Sequence, residues 1–168
     1  LSGANAYTGT TTISAGTLKL GTGGSLSSST ALSMGGTSAT LDLYGNSQSF
    51  ASITGSAVGD IILNSLTSST STLTVTGGTT TFAGVIKNNS GSGGTVALTV
   101  DGATLTLSGA NTYTGTTTLT SGALLVGVAT SGTLGSITSS AIGAGTLTFN
   151  GGTISSDGGT ARTLYNAI

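Results

Sequence analysis

The chain has no cysteine, histidine, proline, tryptophan or glutamate, and few charges of either sign. Without cysteine there can be no disulfide and no thiolate metal site. Without histidine, the commonest general base and the commonest zinc ligand are both missing. Three basic residues (Lys19, Lys87, Arg162) and four acidic ones (Asp42, Asp60, Asp101, Asp157) leave a net charge of −1 over 168 residues. Nucleic-acid binding rests on neutralising phosphates with Lys and Arg, so no such footprint exists. Nor is there a basic patch for an anionic membrane surface. No apolar run approaches the roughly 18 residues of a membrane span. The first residues lack the basic stretch and apolar core of a signal peptide, which reads as a mature or excised segment or a cytosolic protein.

What is present is small and polar. Gly (30), Ser (26) and Thr (36) make up more than half of the chain. Alone, that share would suggest a disordered linker. However, hydrophobic residues still reach 36% with a mean hydropathy of +0.37, and they fall at alternate positions. Threonine outnumbers serine, and its branched Cβ favours strands. The chain therefore reads as ordered and all-β.

Strand-like runs recur between glycine clusters. In the first half they are Thr10–Ser14, Thr17–Leu20, Thr30–Met34, Ala39–Leu43, Ser49–Thr54, Asp60–Leu63 and Ser71–Thr76. In the second half they are Thr79–Ala83, Thr95–Val100, Ala103–Leu107, Thr116–Thr120, Ala123–Val126, Thr146–Phe149, Thr153–Ser155 and Arg162–Leu164. Breaks fall at clusters such as Gly77–Gly78 and Gly158–Gly159. Within runs such as Thr72–Thr76, apolar residues share one face and threonines the other. By the same alternation Leu18 and Leu20 point inward around an exposed Lys19, Leu41 and Leu43 around an outward Asp42, and Leu147 and Phe149 around Thr148.

Residues Leu1–Gly21 (LSGANAYTGTTTISAGTLKLG) return as Leu107–Gly127 (LSGANTYTGTTTLTSGALLVG), 106 positions later, with 14 of 21 identical. A segment repeated within a short chain is normally a structural unit stacked on others like it. The few aromatics and loose Gly/Ser turns argue against a sandwich. A thin core of Leu, Ile, Val and Ala suits a solenoid of about seven coils, roughly 20–25 residues each and about 4.8 Å apart. The 106-residue echo would then be a superperiod of four or five coils within one domain spanning residues 1–168. Absent proline fits a stack in which nearly every backbone N–H is engaged.

The repeat, with its Ser-Gly-Ala-Asn-x-Tyr-Thr-Gly core at Ser2–Gly9 and Ser108–Gly115, closely resembles the autotransporter-associated β-strand repeat. That repeat is found in passenger regions of large bacterial surface proteins. Ala39–Ile53, Thr79–Ile86 and Thr146–Ile168 share its texture. The resemblance implies a right-handed parallel β-helix, secreted and displayed as a rod or matrix component at the cell surface.

The recurring Asn5, Tyr7 and Gly9, with Asn111, Tyr113 and Gly115, are the candidate site residues, and their expected role is structural. Asparagine would cap the turn backbone, and tyrosine would cover the coil edge with its hydroxyl in water. Catalysis is not expected: polysaccharide cleavage needs paired carboxylates, and the four Asp residues are far apart and read as solvated. Asp157 within Ser155–Gly159 lacks the tandem units of a calcium-binding roll, so neither metal nor cofactor is expected. The alternative is a module binding surface glycans or ice through a Thr/Tyr-lined face: Tyr and Asn could meet a carbohydrate, and Thr-x-Thr arrays could form a flat hydroxyl ladder for ice, although their intervals are irregular. Neither end carries a capping element, and an uncovered strand templates another. The segment is therefore expected to continue into more repeats or to stack head to tail on copies of itself.

Overall fold

The computed structural model describes residues 1–158 and 160–168; Gly159, in the expected Gly158–Gly159 break and the Ser155–Gly159 loop, lies outside them. The described residues are all-β, without helix. The first eight strands are β1 (Thr11–Ile13), β2 (Gly16–Lys19), β3 (Ala31–Met34), β4 (Ala39–Asp42), β5 (Gln48–Phe50), β6 (Ser52–Gly55), β7 (Ile61–Asn64) and β8 (Thr70–Val75). They are followed by β9 (Thr79–Phe82), β10 (Val85–Asn88), β11 (Thr95–Leu107), β12 (Thr117–Val126), β13 (Ser131–Thr133), β14 (Ser136–Ser139), β15 (Leu147–Phe149) and β16 (Thr153–Ser156).

Parallel pairing winds these strands into a solenoid with three faces. The first face stacks β5, β8, the first half of β11, the first half of β12, and β15. The second runs β1, β3, β6, β9, the rest of β11, the rest of β12, and β16. The third holds β2, β4, β7 and β10. About five turns are formed, not seven. The windings at either end are partial, and partners in adjacent windings lie between 19 residues (Leu98 and Thr117) and 30 residues (Thr117 and Leu147) apart. The longest winding carries an antiparallel hairpin, β13–β14, that adds nothing to the core.

Period-two alternation places the core along the axis. Phe50, Val75, Val100 and Leu119 form one inward column; Leu32, Ile53, Leu105 and Leu124 belong to another, and all are buried. The outward positions stack as well. Ser49, Thr74, Thr99, Thr118 and Thr148 are successive partners, a five-deep column of hydroxyl side chains. Neighbouring Thr70 and Thr95 hydroxyls hydrogen-bond to each other at 2.8 Å. Column partners compensate in volume: the Phe82 ring occupies the space that a Cβ on its partner Gly55 would need.

Several expectations change. Ser49–Thr54 divides at Ala51 into two strands on adjacent faces, whereas Thr95–Leu107 and Thr117–Val126 each run unbroken around a corner. Arg162–Leu164 is not a strand, though the Thr163 carbonyl accepts the Thr130 N–H at 2.9 Å. Asp42 and Asp60 are buried, not solvated. For Asp42, stacking lays N–H groups of a turn and of the neighbouring winding against the carboxylate, which offsets the cost of burial; Asp60 keeps Oδ2 without a hydrogen-bond partner among the described residues. Asp42 accepts the Tyr44 and Ser65 N–H groups at 3.0 Å and the Ser65 hydroxyl at 2.6 Å, with Lys19 Nζ 3.6 Å away. Asp60 accepts the Ala39 N–H at 3.1 Å. Asp101 and Asp157 are exposed, as expected. Phe149 shares the inward side of β15 with buried Leu147 but is 48% exposed, because β15 is the last strand of its column.

Candidate functional site: one segment in two places

The two copies of the repeat build the same local object. In each, a glycine with positive φ turns the chain from one face to the next: Gly16 (φ 71), the first residue of β2, and Gly122 (φ 87) within β12. Only glycine enters that region without strain. In each copy a tyrosine hydroxyl meets the threonine hydroxyl four residues later, Tyr7 with Thr11 at 2.9 Å and Tyr113 with Thr117 at 2.6 Å. The identical letters thus encode a corner flanked by two strands.

The corners, however, occupy different columns. Ile13 stacks on Met34 in the second face. Its counterpart Leu119 stacks between Val100 and Phe149 in the first. Sequence repetition is therefore not repetition of position, and the 106-residue interval does not return the chain to the same face.

Their surroundings differ further. Asn111 lies inside the stack and is fully buried. Its Oδ1 accepts the Ile86 N–H of the preceding winding at 2.7 Å, and its Nδ2 donates to the Ala141 carbonyl of the following one at 2.6 Å. One side chain therefore joins three windings. Asn5 reaches only forward: its Nδ2 donates to the Ser25 and Gly3 carbonyls, each at 3.0 Å. Among the described residues, nothing donates to its Oδ1. Asn5 thus ties a carbonyl of its own turn to one of the next winding, whereas Asn111 cross-links the windings on either side of it.

Tyrosine divides in the same way. Tyr7 is 45% exposed; Tyr113 is 0% exposed, so its hydroxyl is not in water as anticipated. The next winding covers it, with Gly143 packed against the ring and the Ile142 carbonyl accepting the Thr117 hydroxyl at 2.8 Å. Burial pushes the Tyr113 hydroxyl far above its ordinary value; the Thr117 hydrogen bond works the other way and is outweighed. The consequence for stability has a definite sign. Below about pH 10 the phenol is protonated in both folded and unfolded chains, and stability is unaffected. As pH rises beyond that value, the unfolded chain ionises while the folded one does not, and stability falls by about 1.4 kcal/mol per pH unit. Thermal melts between pH 10 and 12 should therefore fall more steeply for the native chain than for Tyr113→Phe.

The glycines complete the contrast. A Cβ on Gly109, Gly115 or Gly122 would collide with the carbonyl oxygen of Gly84, Val96 or Ala103, all on the winding before it. At the counterparts Gly3, Gly9 and Gly16, the same Cβ would meet nothing within 4 Å. In the second copy, glycine thus stands where an underlying winding comes close.

Two segments, residues 1–20 and 100–126, match the model of the passenger-associated-transport-repeat family. They coincide with the two corners, so both copies of the repeated segment are similar to that family, in agreement with the resemblance drawn from the sequence. No curated protein and no solved structure matches the chain.

Proposed function

We propose that this chain is a structural segment of an autotransporter passenger: part of a rod displayed at, or released from, a bacterial surface. It would serve extension, adhesion or matrix building without catalysis. The observation that carries this reading is the passenger-associated-transport repeat sitting at two different columns of one continuous parallel stack. A segment that fits any corner lengthens a rod; it does not assemble a pocket. Each added winding contributes its own ladder and interface, so stability accumulates with length. Such a rod also stacks end to end on further copies, because near-zero net charge offers little repulsion. No helix among the described residues is long and apolar enough to cross a membrane.

The test is to place the chain ahead of an outer-membrane translocator barrel in a Gram-negative host. Its surface exposure is then read by protease shaving of intact cells. Cells displaying the chain should settle and adhere faster than cells displaying the barrel alone. A chain retained inside the cell would remove the passenger reading; display without any change in settling would remove adhesion.

A second reading has one specific observation in its favour, the five-deep hydroxyl column from Ser49 to Thr148. Regularly spaced hydroxyls on a flat face suit neutral glycans or ice. A glycan array and a thermal-hysteresis measurement test it, with Thr74→Lys and Thr99→Lys placed mid-column to abolish any signal.

A further inference from the structure

We propose that the cleft between hairpin β13–β14 and Tyr165 binds a neutral sugar ring, stacked on the tyrosine and hydrogen-bonded to the Thr116 and Thr146 hydroxyls. The proposal rests on the glycan reading and gives it a site apart from the hydroxyl column.

The hairpin takes no part in the core, and its Leu134-Gly135 turn holds a leucine that is 79% exposed. Leu134 and Ile137 line a cleft of about 380 Å³, together with Thr116, Gly145, Thr146 and Tyr165. Strand alternation fixes where the threonines point. Thr117 and Leu147 are inward and buried, so Thr116 and Thr146 project from the flank of the rod, both exposed. Leu164 packs against the core, and Tyr165 beside it is exposed. The cleft therefore opens sideways, off the flank, and not along the stacking axis. The Thr117 N–H donates to the Thr146 carbonyl at 2.9 Å, which sets the two hydroxyls on adjacent windings, about 4.8 Å apart. The tyrosine is pinned on both sides. Asn166 Nδ2 donates to the Gly143 and Gly145 carbonyls at 3.1 and 2.7 Å, and the Thr163 carbonyl accepts the Thr130 N–H at the base of the hairpin at 2.9 Å.

The occupant follows from the chemistry of these groups. A pyranose carries hydroxyls around its rim and C–H bonds on its faces. A tyrosine ring has apolar faces and a polar tip, so it covers the C–H face and leaves the rim free. Each threonine hydroxyl donates one hydrogen bond and accepts two, and the pair on adjacent windings reaches two hydroxyls of one ring. Leu134 and Ile137 exclude water around it. Among the described residues, none of the charged ones lines the cleft. An anionic sugar would give up water around its carboxylate and find no cation in exchange. The volume lies near the lower end of the range for ligand pockets, about 300–1,000 Å³, and suits one ring or the end of a chain.

The probes are the methyl glycosides of glucose, galactose and mannose, with glucuronate as the charged comparison, titrated into isotope-labelled chain and followed by NMR. At least one neutral glycoside should shift the amides of Gly135, Ile137, Gly145 and Thr146 to saturation, and glucuronate should not. Tyr165→Ala should weaken binding about tenfold and Thr146→Val about fivefold, whereas Tyr165→Phe should retain it. Both positions are exposed, and circular dichroism melts check that the variants remain folded. Thr74→Lys, far from the cleft in the hydroxyl column, should bind as the native chain does. No shift at these amides with any glycoside would overturn the proposal, as would equal binding of glucuronate or full affinity in Tyr165→Ala. Binding lost in Thr74→Lys but kept in Tyr165→Ala would remove the cleft and leave the glycan reading standing. A silent glycan array would remove both.

Discussion

Asn111→Ala should destabilise the chain by about 2–4 kcal/mol, and Asn5→Ala by less than about 1 kcal/mol. Both remove the same side chain from the same motif. At Asn111 the change orphans two buried backbone groups, the Ile86 N–H and the Ala141 carbonyl. A buried group left without a partner forfeits its full desolvation energy, about 1–3 kcal/mol each. At Asn5 the freed carbonyls of Gly3 and Ser25 lie where water can replace the amide, and Ser25 still accepts the Asn5 backbone N–H. Urea titration reads the difference as a shift in midpoint at constant slope. Equal midpoints would mean that Asn111 does not bridge the windings.

Gly115→Ala should cost about 3 kcal/mol or more, whereas Gly9→Ala should be neutral or stabilising by up to about 1 kcal/mol. The added methyl at Gly115 points at the Val96 carbonyl, which also accepts the Gly115 N–H at 3.1 Å. The windings must therefore part and the ladder bond must lengthen. Backbone is in the way, not the end of a flexible side chain, so little can relax. At Gly9 there is open space and φ lies outside the left-handed region. Alanine then mainly restricts the unfolded chain. Paired melts of the two variants at low concentration isolate this effect from any association.

Both experiments depend on a distinction that the sequence could not carry. The motif was legible because 14 of 21 letters recur, and so was the inward set, since Leu73, Val75, Leu105 and Leu107 alternate with threonine. What lies above and below a residue is another matter. Asp42 and Asp60 look like solvated charges in a strand, and only stacking shows the N–H groups that hold them inside. Tyr113 and Tyr7 have matching neighbours in the chain and opposite ones in space. Strand β10 is not legible in the sequence because Lys87 and Asn88 break its apolar alternation. Hairpin β13–β14 is not legible either, because Ser131–Ser139 holds only two apolar residues, Leu134 and Ile137, too few to show a period. The merging of two expected strands into β11, and of two into β12, has a single cause: their glycines turn the backbone with only a local shift of register, and pairing resumes beyond the corner.

The placement of one segment at two different columns bears on how such a chain can grow. Unequal recombination between gene copies inserts stretches of arbitrary length, and most folds are ruined when the inserted piece arrives out of phase. Here the same stretch is accommodated at two of the three bends of a revolution, so a duplicate can begin and finish at either and the spiral resumes. Lineages carrying this unit should therefore vary widely in length while keeping its letters, a freedom that comes from encoding a bend instead of an address.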